Sequence, residues 1–584
     1  MRLGLRKLSL PGLIVLLGTF ALLVSACGST SNSASKNLAK SQVLNMTWAG
    51  GGSTDIVTVD PGQAADSGSI PIVNMLFDGL VVLDKNLKVA DWGADKVTTS
   101  TDGLTYTFHI RPGQKFSDGT PVKASDYAYA INRSDNPCLQ SPVNYYLWAI
   151  KDAQTFATET CTNGTITGAV QTLIGDSLVV DDGAGTLTIT LAAPAGYFLQ
   201  AMTYSTSYAL EQSAVTGANL GQDDKWTNNL AADTSGKATG QGGSGMFYIK
   251  TWDHQGNLKL AANPNWWGVS AGHKPYLTEV DFKIFADGDT MYNTYNSGTT
   301  YDYSDGIPAA QLAAAKSLPD YVTAPYLLVN MVAMNWNIKP FDNLDARLAF
   351  CEVINRDLLN TTVSKGANTP SWHLVPKGMP GYNPNLTGPD GLTATTGDIA
   401  KAQSHWSAYL ATVGGKAAPI AYSYNVSSAA SKLYAEALIS GWNQNLPGAN
   451  VVSDSRDWAT QLAAEQQKKL QLYRSGWIAD YPDPQDFLTL LYSTTSSYND
   501  QNASLPAADQ LMAQADQISD PAKQDQRMQL YNQAEQLLVN NVAICPLTQG
   551  ANYYRLRTYV KGYQQDAQGS EPTTEWPNVY IQQH

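Results

Sequence analysis

Histidine, positive charge and the short catalytic signatures are what this sequence is short of. Its 584 residues contain six histidines, namely His109, His254, His273, His373, His405 and His584, and none follows H-E-x-x-H or another metal-ligand spacing. No metal centre is expected. Lys and Arg number 37 against 50 Asp and Glu, a formal net charge of -13. An acidic chain attracts neither nucleic acid nor an anionic membrane surface, so neither is expected as a partner. There is no G-x-S-x-G elbow and no G-x-x-x-x-G-K-[ST] loop, so nothing signals a nucleophilic serine or an ATP site. "GQGGSG", Gly240 to Gly245, does match G-x-G-x-x-G. The "MFYIKTW" that follows alternates like a strand, however, whereas a phosphate-cradling loop must open a helix. No catalytic residue and no cofactor is therefore expected. Past the N-terminal region no apolar run is long enough to span a bilayer.

What is present begins with an address. Arg2, Arg6 and Lys7 form a positive n-region, Leu8 to Val24 an apolar h-region, and the segment closes on "LVSAC". It resembles a bacterial lipoprotein signal, with Cys27 as the lipidated first residue of the mature chain. Residues 28–40, beginning "GSTSNSASKN", then form a small polar tether that cannot pack. The expected location is outside the cytoplasm, held at the cell membrane by the lipid anchor only. An exported chain keeps disulfides. Closing the loop between Cys138 and Cys161 is the expected pairing, while Cys351 and Cys545 either form a second bridge or stay buried thiols.

The chain is too long for one ordinary core, so two or more lobes are expected. Its 31 tyrosines and 14 tryptophans suit cores, and suit sites for small polar ligands as well. Alternation from "LTYTFHIRPG" through "TLTITLAAPA" predicts antiparallel or mixed strands. The period then changes. Asp398 caps a helix in which Ala402, Trp406 and Leu410 recur at helical spacing; "APIAYSYN" reads as a strand, Ala429 to Asn445 as a helix and "ANVVSD" as a strand. That is a βαβ unit, the mark of a parallel sheet with helices on its faces. Asp520 and Pro521 start a helix carrying Met528, Tyr531 and Leu538, and "VAICPL" follows as a strand.

The most specific segment is "DGLTYTFHIRPGQKFSDGTPVKASD", Asp102 to Asp126. Tyr106, Phe108 and Ile110 alternate as one buried face; Pro112 with Gly113, and Ser117 to Gly119, make tight turns; Asp126 begins or caps the helix after Ala124. The segment resembles the signature region of the family 5 extracellular solute-binding proteins, the peptide- and nickel-binding receptors of ABC importers. Other blocks similar to that family fall in its order: "FDGLVVLD", "GSGMFYIKTW", "NPNWWG", "MNWNIKPFDNLDARLAFCEVINRDLL", "GWNQNL" and "GWIADYPDPQDFL". Two departures stand out. "VADWGADKVTTSTDG" replaces the usual P-x-L-A-x-x-W, and Trp266 replaces a tyrosine.

The resemblance implies an α/β protein of two lobes, a type II periplasmic-binding-protein-like clamp with an enlarged first lobe. Lobe one would hold residues 41–324, including an inserted subdomain from about 75 to 205. Lobe two would run over 325–544, residues 545–584 would return to lobe one, and crossings near Pro325 and Pro546 would form the hinge. It further implies a monomer that closes on a peptide ligand and docks on an ABC permease, the energy coming from the permease's ATPase subunits. Another solute, such as a nickel chelate, haem or an oligosaccharide, is the alternative within the fold, since fold does not fix ligand. An exported hydrolase is the alternative outside it.

"GWIADYPDPQDF" carries three acids. Asp483 followed by Pro484, with Asp486 in the first turn, reads as an N-cap, a proline at N1 and an acid favoured by the helix dipole, so both aspartates are structural. Asp480 precedes the cap. The resemblance makes Asp480 the acceptor for a ligand's α-amino group and Trp477 a wall of its pocket. Tyr145, Tyr146 and Trp148 in "VNYYLW", with Asn335 and Trp336 in "MNWN", are further ligand-binding candidates on their aromatic and amide chemistry.

Overall fold

A computed structural model of the protein describes residues 37–49, 53–215, 225–230, 243–426 and 429–584. The signal segment, Cys27 and the tether as far as residue 36 lie outside these, as do Gly240 to Gly242 of "GQGGSG". Among the described residues no helix is long and apolar enough to cross a membrane.

One mixed sheet runs through both lobes of this α/β fold. Val43–Ala49, burying Leu44, Met46 and Trp48, lies parallel to Glu279–Phe285, and the hairpin Phe247–Trp252 with Asn257–Ala262 extends that edge. In the other direction come Tyr303–Ser304, Cys545–Leu556, Tyr321–Met334, Leu472–Ile478, Ile420–Asn425 and Val451–Arg456. The last two are the strands of the βαβ unit, paired in parallel and joined by the helix Ala429–Asn445. The Asp398 side chain accepts from Lys401 N to start the helix Ile399–Thr412, which buries Ala402 and Trp406. Asp520 caps a single 3-10 turn, Pro521–Lys523, before the helix Gln524–Asn540.

The apolar residues divide into separate cores. One, from Leu44 to Ile284 with Tyr554 and Ile581, lies under the first half of the sheet. A second runs from Leu327 to Leu547 under the other half. A third, from Leu80 to Ala209, belongs to a smaller antiparallel sheet of Ala94–Thr99, Thr105–Ile110, Thr186–Thr190 and Leu178–Asp181, against which the helix Ala124–Ser134 packs. Tyr106, Phe108 and Ile110 are its buried face. Asp126 does not cap that helix. Lys123 occupies the cap position, and Asp126 sits one turn in, where its carboxylate accepts from Lys123 N at 2.7 Å.

Two long antiparallel strands, Tyr321–Met334 and Cys545–Leu556, carry the sheet from one core to the other. Their pairing is irregular between Pro325 and Val329, and again where Leu547 is passed over between Pro546 and Thr548. A proline brings no N–H to a ladder, so breaks beside Pro325 and Pro546 are where the sheet is weakest. Cys138 is bonded to Cys161, and Cys351 to Cys545; of the two alternatives for the second pair, the bridge is the one present. Both departures from the family pattern meet at one residue. Trp92 of "VADWGADK" and Trp266 donate, together with Trp267, to the buried Asp78 carboxylate at 2.7, 3.1 and 3.0 Å. Burial pushes the Asp78 pKa up to about 7, and the three indole donors partly offset it.

Candidate functional site

A small cluster brings Val143, Tyr146, Ala201 and Tyr204 together with Tyr481 from a distant segment. Beside it lies a cavity of about 1010 Å3. Asp480, Trp477, Tyr145, Tyr146 and Trp148 all line it. The strand Leu472–Ile478 delivers Trp477 and then gives way to the loop that carries Asp480.

That loop is fixed by its neighbours. Asp483 accepts from Gln485 N at 3.0 Å as the cap of a short 3-10 turn, and its two oxygens also take Arg527 Nη1 and Nη2 at 2.6 and 2.7 Å. Asp486 is more than a first-turn acid. It is fully buried, and its Oδ2 accepts from Asp480 N at 3.1 Å and from Trp477 Nε1 at 3.2 Å, so it orients both site residues. From the returning C-terminal segment, Gln568 Nε2 donates to the carbonyl oxygens of Ala479 and Asp480 at 3.1 and 2.8 Å.

Among the described residues the Asp480 carboxylate meets tyrosine hydroxyls and no cation. Tyr145 donates to its Oδ2 at 3.4 Å, and the Tyr145 and Tyr146 hydroxyls are themselves bonded at 2.5 Å. Burial pushes the Asp480 pKa up to about 7, with the Tyr146 and Tyr145 hydroxyls partly offsetting the rise. Aromatic rings continue the wall. Tyr145 lies 4.3 Å from Tyr498, Tyr146 lies 4.0 Å from Tyr204, and Trp477 meets Tyr498 edge-on. Such a surface holds an apolar or amide-bearing ligand, and one buried carboxylate awaits a positive group.

Asn335 and Trp336 are elsewhere. The Asn335 amide donates to Lys468 O at 2.9 Å and accepts from Asn337 N and Asn502 Nδ2, so it pins a turn at the end of a strand. Trp336 lies under the Arg347 guanidinium, 3.7 Å from its centroid. Neither lines the cavity. Five acids that sequence reasoning missed do line it: Asp305, Glu465, Asp500, Asp566 and Glu571. They come from separate segments and share no local pattern. Away from the cavity, His405 sits among acids, its Nδ1 2.7 Å from Asp345 and its Nε2 3.1 Å from Asp390 and 4.0 Å from Glu352. Glu352, Asp390 and His405 are the described trio whose atoms are close enough to share a metal ion.

Residues 88–499 match the signature described as Bacterial extracellular solute-binding proteins, family 5 Middle. The oligopeptide-binding protein OppA of Bacillus subtilis is 27% identical over 563 residues, covering 94% of this chain and 95% of that one. The periplasmic oligopeptide-binding protein OppA of Escherichia coli is 28% identical over 540 residues, 91% of this chain and 92% of its own. Among solved structures, the murein tripeptide binding protein MppA of Escherichia coli superposes with a TM-score of 0.75 at 24% identity, over 94% of this chain and all of that one.

Proposed function

The chain belongs to family 5 of the bacterial extracellular solute-binding proteins, and from that premise we propose that it captures peptides between its lobes for an ABC importer. The single observation that carries the peptide reading is Asp480: a carboxylate at the cavity wall, held by its own backbone from two sides, ringed by tyrosine hydroxyls and lacking a cation. A peptide's α-ammonium supplies the missing charge, and the rings of Tyr145, Tyr146, Trp148 and Trp477 supply a wall for its amides and side chains. OppA of Bacillus subtilis and of Escherichia coli are oligopeptide-binding proteins by name, which supports the reading over a nickel chelate, haem, an oligosaccharide or hydrolysis.

The rest of the reading follows from this role. The lobes divide at residues 324 and 325, with 545–584 returning to the first, and the irregular pairings at Pro325–Val329 and Leu547 serve as the hinge. The receptor works as a monomer, lipidated at Cys27, and hands its ligand to a permease driven by separate ATPase subunits. Calorimetry with one peptide in free and N-acetylated form tests the ammonium role. Acetylation, or Asp480→Ala with the free peptide, is expected to weaken binding about 10- to 100-fold, the loss of a charge-assisted hydrogen bond. Equal affinities for the two forms would remove that role from Asp480; cleavage of the peptide would overturn the receptor itself.

A further inference from the structure

We propose that the cavity selects cationic peptides: ligands whose Lys or Arg side chains meet its acids, and whose C-terminal carboxylate finds no cationic side chain to receive it. The proposal rests on the peptide reading above and adds its charge specificity. Among the described residues six carboxylates line the cavity, Asp305, Glu465, Asp480, Asp500, Asp566 and Glu571, and no Lys, Arg or His does. Both walls contribute. Asp305, Asp566 and Glu571 come from the first lobe and the returning segment, Glu465, Asp480 and Asp500 from the second.

The hydrogen bonds described for these acids come from neutral groups. Asp305 accepts from Ala49 N and Tyr303 OH, Glu465 from Gln461 Nε2, and Asp566 from Gln568 N and Ser570 N. Glu571 accepts from Gln564 N through one oxygen, while its other oxygen has no partner although the residue is only 6% exposed. Lys468 lies near enough to Asp500 to offset part of its burial, but stands outside the lining. Elsewhere three buried aspartates are paired with arginine, Asp60 with Arg133, Asp320 with Arg555 and Asp483 with Arg527, while Asp78 is met by indoles. A built-in cation would have served in the cavity too. Its omission leaves a cost that an incoming ammonium or guanidinium relieves, that a neutral side chain leaves in place and that a further carboxylate increases. Burial raises the pKa of all six groups, as expected of acids kept from both water and counter-charge.

Calorimetry on the purified chain with three free-amine peptides of equal length, carrying lysine, glutamine or glutamate at the same internal positions, reads the charge term directly. The lysine peptide is expected to bind at least about tenfold tighter than the glutamine peptide and the glutamate peptide most weakly, with the lysine advantage shrinking as salt rises. Amidating the C-terminus of the glutamine peptide is expected to tighten its binding. In Glu465→Gln and Glu571→Gln, with folding checked by thermal unfolding, the lysine-to-glutamine ratio is expected to fall toward one. Lysine and glutamine peptides within about twofold of each other, or a terminal amide weaker than the acid, overturn the charge proposal while leaving a peptide receptor. Binding of none of the three overturns the peptide reading as well.

Discussion

Glu352 shows what burial does to a carboxylate that accepts no hydrogen bond. It is fully buried and neither oxygen has a hydrogen-bond partner. Burial raises its pKa from 4.5 to about 7, Asp390 adds to the rise, and His405 and Lys401 partly offset it. For a carboxylate with a raised folded pKa, the folded state keeps a proton that the unfolded chain has released, so stability falls as pH climbs from 4.5 through about 7. His405 acts in the same direction. Its own burial lowers its pKa, but the bonds to Asp345 and Asp390 outweigh this and raise it above 6.5, so what it contributes is present below 6.5 and lost as pH rises through the folded value. Thermal unfolding across this range is therefore expected to show declining stability toward alkaline pH. Glu352→Gln, which cannot ionise, should be the more stable protein above pH 7 by about 1 to 3 kcal/mol and show little advantage near pH 4.5. An unchanged pH profile in the variant would show that Glu352 does not titrate in this window.

At the scale of elements, the turn after the strand Leu472–Ile478 connects packing to the site. Arg527, on the helix Gln524–Asn540, makes a two-pronged ion pair with Asp483, and both side chains are almost wholly buried. Removing one member leaves the other charged in the interior, a cost of about 3 to 5 kcal/mol. Arg527→Met is expected to lose that much stability by urea unfolding and to weaken peptide binding as well, since Asp483 caps the turn from which Asp486 holds Asp480 and Trp477. A variant that unfolds earlier yet binds normally when folded would separate the two roles. Much at this scale is legible in the sequence. The βαβ unit, the cap at Asp398 and the alternation of Tyr106, Phe108 and Ile110 all rest on periods and cap chemistry that neighbouring residues alone determine. The site is legible only in part. Asp480 and Trp477 stand out inside one motif, but Asp305, Glu465, Asp500, Asp566 and Glu571 become one surface only when distant segments meet. Asn335 shows the converse, because its amide chemistry suits a pocket equally well and only its bonds to Lys468 and Asn502 reveal a pinned turn. Asp486 fits a first-turn acid in sequence, and its hold on the site depends on burial that spacing does not report.

For the molecule as a whole, the question is what holds the lobes together around the cavity. Among the described residues, contacts that cross it besides the two long strands include Tyr145 OH to Asp480, Tyr498 OH to Pro142 O at 2.8 Å, Gly196 N to Asp516 O at 2.8 Å, Gln568 to the Asp480 loop, the stacked rings of Tyr197 and Tyr481, and the small cluster at Tyr481. The strands themselves are irregular beside Pro325 and at Leu547, so bending there breaks little regular pairing. A ligand that touches both walls shifts the balance between closed and open states by its differential affinity for them. Tyr498→Phe tests this. It keeps the ring beside Tyr145 and Trp477 and removes one cross-lobe hydrogen bond of about 0.5 to 1 kcal/mol, so the apparent Kd for a lysine peptide should rise about two- to fivefold. A lost ligand contact would raise Kd equally, but it would not change the empty protein. Small-angle scattering of the unliganded variant should show a larger radius of gyration than the wild type, and saturating peptide should bring the two together. Identical scattering of the two empty proteins, with Kd still raised, would assign the Tyr498 hydroxyl to the ligand and not to closure.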